Sequence, residues 1–562
     1  MNLFKFKYKI IGQILFVITF LSTTSAQSLD KFDSAEQVSD YFSGILLLND
    51  NKYEDSFKYL RKLNGLEVSH LNYSVKYLYT LINSENFKEA FNYSKKLEKQ
   101  NLDNFESHLI LGIYYLERSN IELAHKYFLK AKEKNPGFIL NNYVIDSFIN
   151  WTSLSNLNQA KSELENLDDR FKNLKKIQNV FLHCYFNDNN TLKLFKDITS
   201  DQDTDFSRYN YFYASYVAST GKLNSAQEII NSALELYPRN LMLKQFQIDL
   251  RDKRNLLMFD CKEIRHVLAE ILYITSNALS SQSIYPLSNF YLNLAKYLNE
   301  DFQSYDTLLA ENFYKINDYK KAKKIYNKLS KNGEAFNWYS SKQIAKILIQ
   351  NNNTKEAIKL LEKSYNELLK KNFYEIFDYA EFLKNNEKFE QSIPLYTKII
   401  NQVSKKHPLY AEATDGRGVA NERIGKWKEA EKDLLSSLDA DPDQAYVINY
   451  LAYTWIEKGV KIKKSLSMLE KANKLRSNDP FIIDSLGWAL YKLEKYEESK
   501  KYLQLAVRLM PADPIVNDHY GDVLWKNGNE IQARYYWNYV LNLEKTEESL
   551  KKTIEKKLIK GL

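Results

Sequence analysis

Residues 109–136, LILGIYYLERSNIELAHKYFLKAKEKNP, decide the fold. Gly112 and Ala124 are small residues at the points where two antiparallel helices would touch. Tyr115 and Phe128 are aromatics that fill the space between such helices, Ala131 extends the second contact face, and Pro136 stops the second helix. The register recurs along the chain. Gly44 lies 68 residues before Gly112, and Gly487 lies 34 before Gly521. Toward the carboxyl end the pattern sharpens, with Gly418, Ala430, Leu434 and Pro442, then Gly487, Leu503, Ala506 and Pro511, then Gly521, Ala533 and Trp537. Ala452, Leu469 and Ala472 fit a unit lengthened near Val460, and fainter units are legible around Ala90, Ala226, Ala322, Ala357 and Ser392. Helical periodicity persists where the small residues fade, at 174–185, 264–279 and 287–298.

Set at positions 8, 11, 20, 24, 27 and 32 of a 34-residue unit, the first set of residues resembles the tetratricopeptide repeat (TPR). The resemblance implies an all-α superhelical solenoid of roughly a dozen antiparallel helix pairs, each burying its apolar face only against its neighbours and leaving a convex and a concave face. The expected organisation is a leader at 1–26, a degenerate amino-terminal block at 27–280, a regular carboxy-terminal block at 281–545 and a basic capping helix at 546–562. The Ser280–Ser283 run marks the boundary between the blocks, and Leu550, Ile554, Leu558 and Ile559 form the apolar stripe of the cap, with its lysines on a solvated face.

Composition agrees with helix. Fifteen Gly and nine Pro in 562 residues supply too little turn chemistry for an all-β chain, and 42 Tyr with 30 Phe supply ample apolar area. The formal charge of +8 falls to +5 (8 − 3) once Lys5, Lys7 and Lys9 leave with the leader, and charges of both signs are mixed along the helices. Nucleic acid is therefore not an expected partner. The basic start, the apolar run 10–21 and Thr24-Ser25-Ala26 read as a secretory signal cleaved after Ala26, which places the protein in the periplasm, at most peripheral to the outer membrane. No later run is long and apolar enough to span a membrane. Cys184 and Cys261 are the only cysteines; buried, inert thiols are expected, with a single disulfide between them as the alternative.

No catalytic constellation emerges. The phosphate-loop, zinc-protease and serine-hydrolase signatures are absent, the seven His are scattered, and no C-x-x-C occurs, so neither a cofactor nor a metal site is expected. The concave face remains, lined in TPR proteins by positions 2, 5, 9, 12 and 13 of the first helix of each pair. Position 5 is Asp415, Asn449, Asp484 and Asp518 in successive units; position 9 is Val419, Tyr453, Trp488 and Asp522; and position 12 of the last two units is Tyr491 and Trp525. A polar ladder beside aromatics suits an extended peptide, with Trp488 and Trp525 as its anchors. TPR proteins that hold the acidic tails of cytosolic chaperones place Lys at position 5 and Asn at position 9. Asp484 with Trp488 and Asp518 with Asp522 depart from that pattern and point to another ligand.

The runs 484–488 (DSLGW) and 517–522 (NDHYGD), with the leader and the Asn/Lys-rich usage, resemble large TPR proteins of Gram-negative bacteria. Relatives in that group are similar to outer-membrane adaptors that bring a carboxy-terminal processing protease to cell-wall hydrolases, although those are lipoproteins and no Cys stands near Ala26 here. The resemblance implies a non-enzymatic protein-binding scaffold or adaptor of the cell envelope, with an envelope protease or cell-wall enzyme as partner. The alternative is a TPR-bearing enzyme or an accessory subunit of a glycosyltransferase or envelope-assembly machine.

Overall fold

Each glycine of the repeat register lies directly under a side chain of its partner helix. A Cβ at Gly487 would stand 2.7 Å from Leu503 Cγ and one at Gly418 3.0 Å from Leu434 Cγ, while at Gly112 and Gly521 it would enter the Phe128 and Trp537 rings. Close approach of paired helices is what these positions require. The computed structural model describes residues 32, 34–135, 137–201, 204–254 and 258–562. The leader at 1–26 and Pro136 lie outside the described residues. Among those residues the chain forms thirty α-helices and no strand, so the all-α reading holds, and no helix is long and apolar enough to cross a membrane.

The chain divides after Asn353 into two compact units. The Ser280–Ser283 run is thus not the division between them; it is the turn joining Ile264–Ser281 to Tyr285–Leu298. Polar residues are at home there because they are used: Ser288 Oγ donates to the Ser276 carbonyl at 2.8 Å, and Ser280 Oγ bonds Asn312 Oδ1 at 2.6 Å.

In the first unit this helix pair does more than stack on its neighbours. Tyr285–Leu298 packs across Leu71–Asn83 and Phe105–Glu117, and Ile264–Ser281 packs on Ile139–Thr152. Buried polar groups key the crossing: Asn293 Nδ2 donates to Asn83 Oδ1 at 3.2 Å, Tyr291 OH to Asn141 Oδ1 at 2.9 Å, and Asn289 Nδ2 to Tyr53 OH at 3.3 Å. Arg208 adds a bidentate pair with the fully buried Glu270, both bonds at 2.8 Å. Nearest-neighbour packing alone therefore does not describe the first unit. Cys184, on Lys172–Tyr185, and Cys261 have Cα atoms 6.0 Å apart and are joined as a disulfide, which corrects the expectation of free thiols. Phe259, two residues before Cys261, packs beside this link, 5.2 Å from Phe181 and 4.5 Å from Phe212.

The second unit is a regular stack. Its last pairs are Pro408–Arg423 with Trp427–Ala440, Ala445–Glu457 with Ile462–Leu475, Pro480–Lys492 with Tyr496–Leu509, and Pro514–Lys526 with Glu530–Leu541. Asp479 and Asp513 accept bonds from the first backbone N–H groups of their helices, and Pro480 and Pro514 occupy the opening turn, where no N–H is needed. Glu548–Lys560 closes the stack with Ile554 fully buried and Leu550 and Leu558 packed beside it. Two details of the expected cap change. Ile559 is 79% exposed, because five residues from Ile554 is off the apolar face, and Lys557 is not solvated but held in an ion pair.

Candidate functional site

Residues at positions 2, 5 and 9 of a helix share one face. Along that face of the second unit, the sequence-derived site residues fall into three groups.

Asp484, Trp488, Tyr491 and Tyr453 converge on His519. Both Asp484 carboxylate oxygens lie 3.0–3.1 Å from His519 Nδ1, and the imidazole lies 3.9 Å from the Trp488 ring, nearly parallel to it. Tyr491 stacks on Trp488 at 4.6 Å, Tyr453 lies 6.4 Å from His519, and Trp488 Nε1 donates to Glu457 Oε1 at 2.7 Å. Burial alone would lower the pKa of His519, but Asp484, with Asp518 and Asp522 nearby, outweighs it and the net shift is upward. Nothing in the repeat positions assigned above marked His519, one place beyond position 5, as the hub of this cluster.

Asp518, Asp522 and Trp525 are brought together with the terminal helix. Lys557 Nζ lies 2.6 Å from Asp518 and 2.7 and 2.8 Å from the two oxygens of Asp522, which also accepts from Trp537 Nε1 at 3.0 Å. Burial, then repulsion from Asp518, pushes the Asp522 pKa up to about 6 against the opposing pull of Lys557. The Trp525 ring packs on Trp537 at 5.4 Å under the Arg534 guanidinium.

Asp415 and Asn449 stand apart from both clusters. Asn449 Oδ1 is buried without a hydrogen-bond partner. Asp415 is half-buried, and burial raises its pKa to about 6, with Lys384 opposing and Glu381 and Glu412 adding to the rise. A carboxyl whose folded pKa lies above its unfolded value of 3.8 favours the folded state only when protonated. Its contribution is present below pH 3.8 and is lost as pH rises through 6. Asp415→Asn is therefore expected to stabilise the second unit by ~1–2 kcal/mol at pH 7.5 and by nearly nothing at pH 3.5. Urea unfolding at the two pH values checks this; an equal change at both would remove the electrostatic explanation.

Two of the four ladder residues, Asp484 and Asp518, are thus engaged within the protein, and the exposed part of the face is a row at position 2. Tyr446, Phe481 and Ile515 occupy position 2 of successive units and are 52%, 55% and 43% exposed. The signal that could have found them is the same register, read six residues before Ala452, Gly487 and Gly521. No group of three or more His, Cys, Asp or Glu suited to a metal ion occurs among the described residues.

Residues 294–546 match the family model described as tetratricopeptide repeat. The TPR repeat-containing protein PA4667 of Pseudomonas aeruginosa is 30% identical over 103 residues. That match covers 18% of this chain, and the chain spans only 18% of the length of that relative. Similar solved structures include MamA of Desulfovibrio magneticus RS-1 (16% identity, 32% of this chain and 99% of that one, TM-score 0.28). YrrB, titled a TPR protein with an unusual peptide-binding site, is 17% identical and covers 33% of this chain and 92% of its own, with a TM-score of 0.27. The thermophilic TPR protein TTC0263 of Thermus thermophilus is 13% identical and covers 34% of this chain and 100% of its own, with a TM-score of 0.29.

Proposed function

We propose that this protein is a non-enzymatic scaffold or adaptor that holds segments of partner proteins along the repeat face of its second unit, and that it works in the bacterial cell envelope after export. The observation that carries the reading is the exposed row Tyr446, Phe481 and Ile515, three large side chains repeated at one position of successive repeats. Apolar side chains aligned in this way on a rigid helical stack offer anchor points for a partner chain. Trp488, only 7% exposed and stacked between Tyr491 and His519, serves that face from beneath as part of its framework, so its truncation would open a cavity as well as alter binding.

The Cys184–Cys261 disulfide supports an oxidising compartment, in agreement with the leader read at 1–26. The resemblance to envelope TPR adaptors favours a protease or cell-wall enzyme as partner. The test is co-purification of partners from periplasmic extract with wild type and with Tyr446→Ala combined with Phe481→Ala. Both side chains are exposed, but the Tyr446 OH donates to the helix-capping Asp479 at 2.9 Å, so helix content should be unchanged and melting should fall only slightly, while loss of the two anchors should weaken capture by ~2 kcal/mol or more, about thirtyfold. Full retention of partners by the double variant would move the binding surface elsewhere.

A further inference from the structure

Five helices of the first unit and the turn after Asn83 frame a cleft of about 280 Å³ that the scaffold reading does not use. Its cations come from Lys296, on Tyr285–Leu298, and from Lys321, Lys324 and Lys328, which share one face of Tyr319–Leu329. Lys296 bridges Glu85 at 2.9 Å and Asp306 at 3.1 Å, Lys328 reaches Asp306 at 2.9 Å, and Lys321 reaches Glu54 at 2.6 Å. Lys324 pairs with no carboxylate among the described residues.

The two signs of charge are held differently. Lys296 and Lys321 keep side-chain exposures of 20% and 21%, and Lys321 is further fixed 4.9 Å from the Tyr53 ring and 5.2 Å from the Phe313 ring. Glu85 and Glu54 keep 55% and 61%. Carboxylates so exposed contribute little to their ion pairs and can turn into solvent, leaving the ammonium groups to an incoming anion. Four lysines would then face the single carboxylate of Asp306.

Asn83 and Asn293 also line the cleft, and both are buried. Asn293 Nδ2 donates to Asn83 Oδ1, and Asn83 Nδ2 and Asn293 Oδ1 are left without partners. Turning both amides over exchanges their roles but still leaves one N–H and one C=O unmatched, so the conclusion does not depend on amide orientation. Buried polar groups in folded proteins are nearly always satisfied. The missing partner is a group that both accepts and donates.

We propose that this cleft binds a phosphate group, as the free ion or as a phosphomonoester. Near pH 6 phosphate, and the fraction of a phosphomonoester that keeps its second proton, carries negative oxygens for the lysines, an oxygen to accept from the asparagine N–H, and a P–OH to donate to the asparagine C=O. Sulfate has the charge and shape but no hydroxyl at that pH.

The test is calorimetric titration of the intact protein at pH 6 and constant ionic strength with inorganic phosphate, glycerol 3-phosphate and sulfate, using wild type and Lys324→Gln with Lys328→Gln. The expected result is one saturable site for phosphate or glycerol 3-phosphate, at least tenfold tighter than for sulfate and at least tenfold weaker in the double variant, with an unchanged circular dichroism spectrum. Saturation by both phosphates assigns the group itself, and saturation by glycerol 3-phosphate alone assigns a phosphomonoester. If the double variant loses helix, Lys324→Gln alone gives the answer, since that side chain makes no ion pair. Absence of saturable binding of either phosphate, equal binding of sulfate, or unchanged affinity in the variant that keeps its fold would overturn the assignment.

Discussion

Trp537→Ala is expected to destabilise the carboxy-terminal repeats by ~3–5 kcal/mol, the range for removing a large aromatic from a closed core. Trp537 is fully buried and lies over Gly521, where not even a Cβ would fit. Its Nε1 supplies one of the bonds to Asp522, and its ring packs against Trp525. The substitution thus opens a cavity and takes a donor from a buried carboxyl at once. Hydrogen exchange should show the loss concentrated at 514–560 and small at 105–133, because stacked repeats loosen locally. An even loss along both units would mean that the second unit does not behave as a repeat stack.

The second large effect concerns the first unit. Glu270→Ala strands the Arg208 guanidinium, whose remaining contacts are Ser304 Oγ at 3.0 Å and the rings of Tyr273, Phe302 and Phe212 at 3.8, 5.2 and 5.5 Å. Breaking a buried pair from one side costs ~3–5 kcal/mol, whereas replacing both members by apolar side chains is often neutral. Glu270→Ala should lower the urea midpoint strongly, and Glu270→Leu combined with Arg208→Met should recover most of the loss. No recovery in the double variant would show that the bidentate geometry itself, and not the avoidance of an unpaired charge, holds Ile264–Ser281 in place.

The helix pairs were legible because their contacts are local. A Gly or Ala at one position and a Tyr, Phe or Leu at another are enough to specify how two neighbouring helices approach, and Gly112 with Phe128 or Gly487 with Leu503 pack as their spacing implies. What depended on distant residues was not legible. The crossing of Tyr285–Leu298 over earlier helices rests on Asn289, Tyr291 and Asn293, ordinary residues until their partners more than a hundred positions away are known. The Ser280–Ser283 run looked like a boundary because polarity alone cannot separate a linker from the turn of a helix pair. On the repeat face, register sets Asp484, Asp518 and Asp522 on the first helices of successive pairs, but register says only which way a side chain points. It could not say that two later helices would present His519 and Lys557 to those carboxylates, nor that position 2 would stay exposed.

The central claim, that the second unit takes partner proteins along the face marked by Tyr446, Phe481 and Ile515, is tested most directly by photo-cross-linking from single positions in cells. A photoreactive side chain at position 481 should give a covalent adduct to a partner protein. The same group at position 535, where Tyr535 is 68% exposed on the second helix of its pair, should give little or none. Adducts from position 535 with none from 481 would place the partner on another surface and contradict the account.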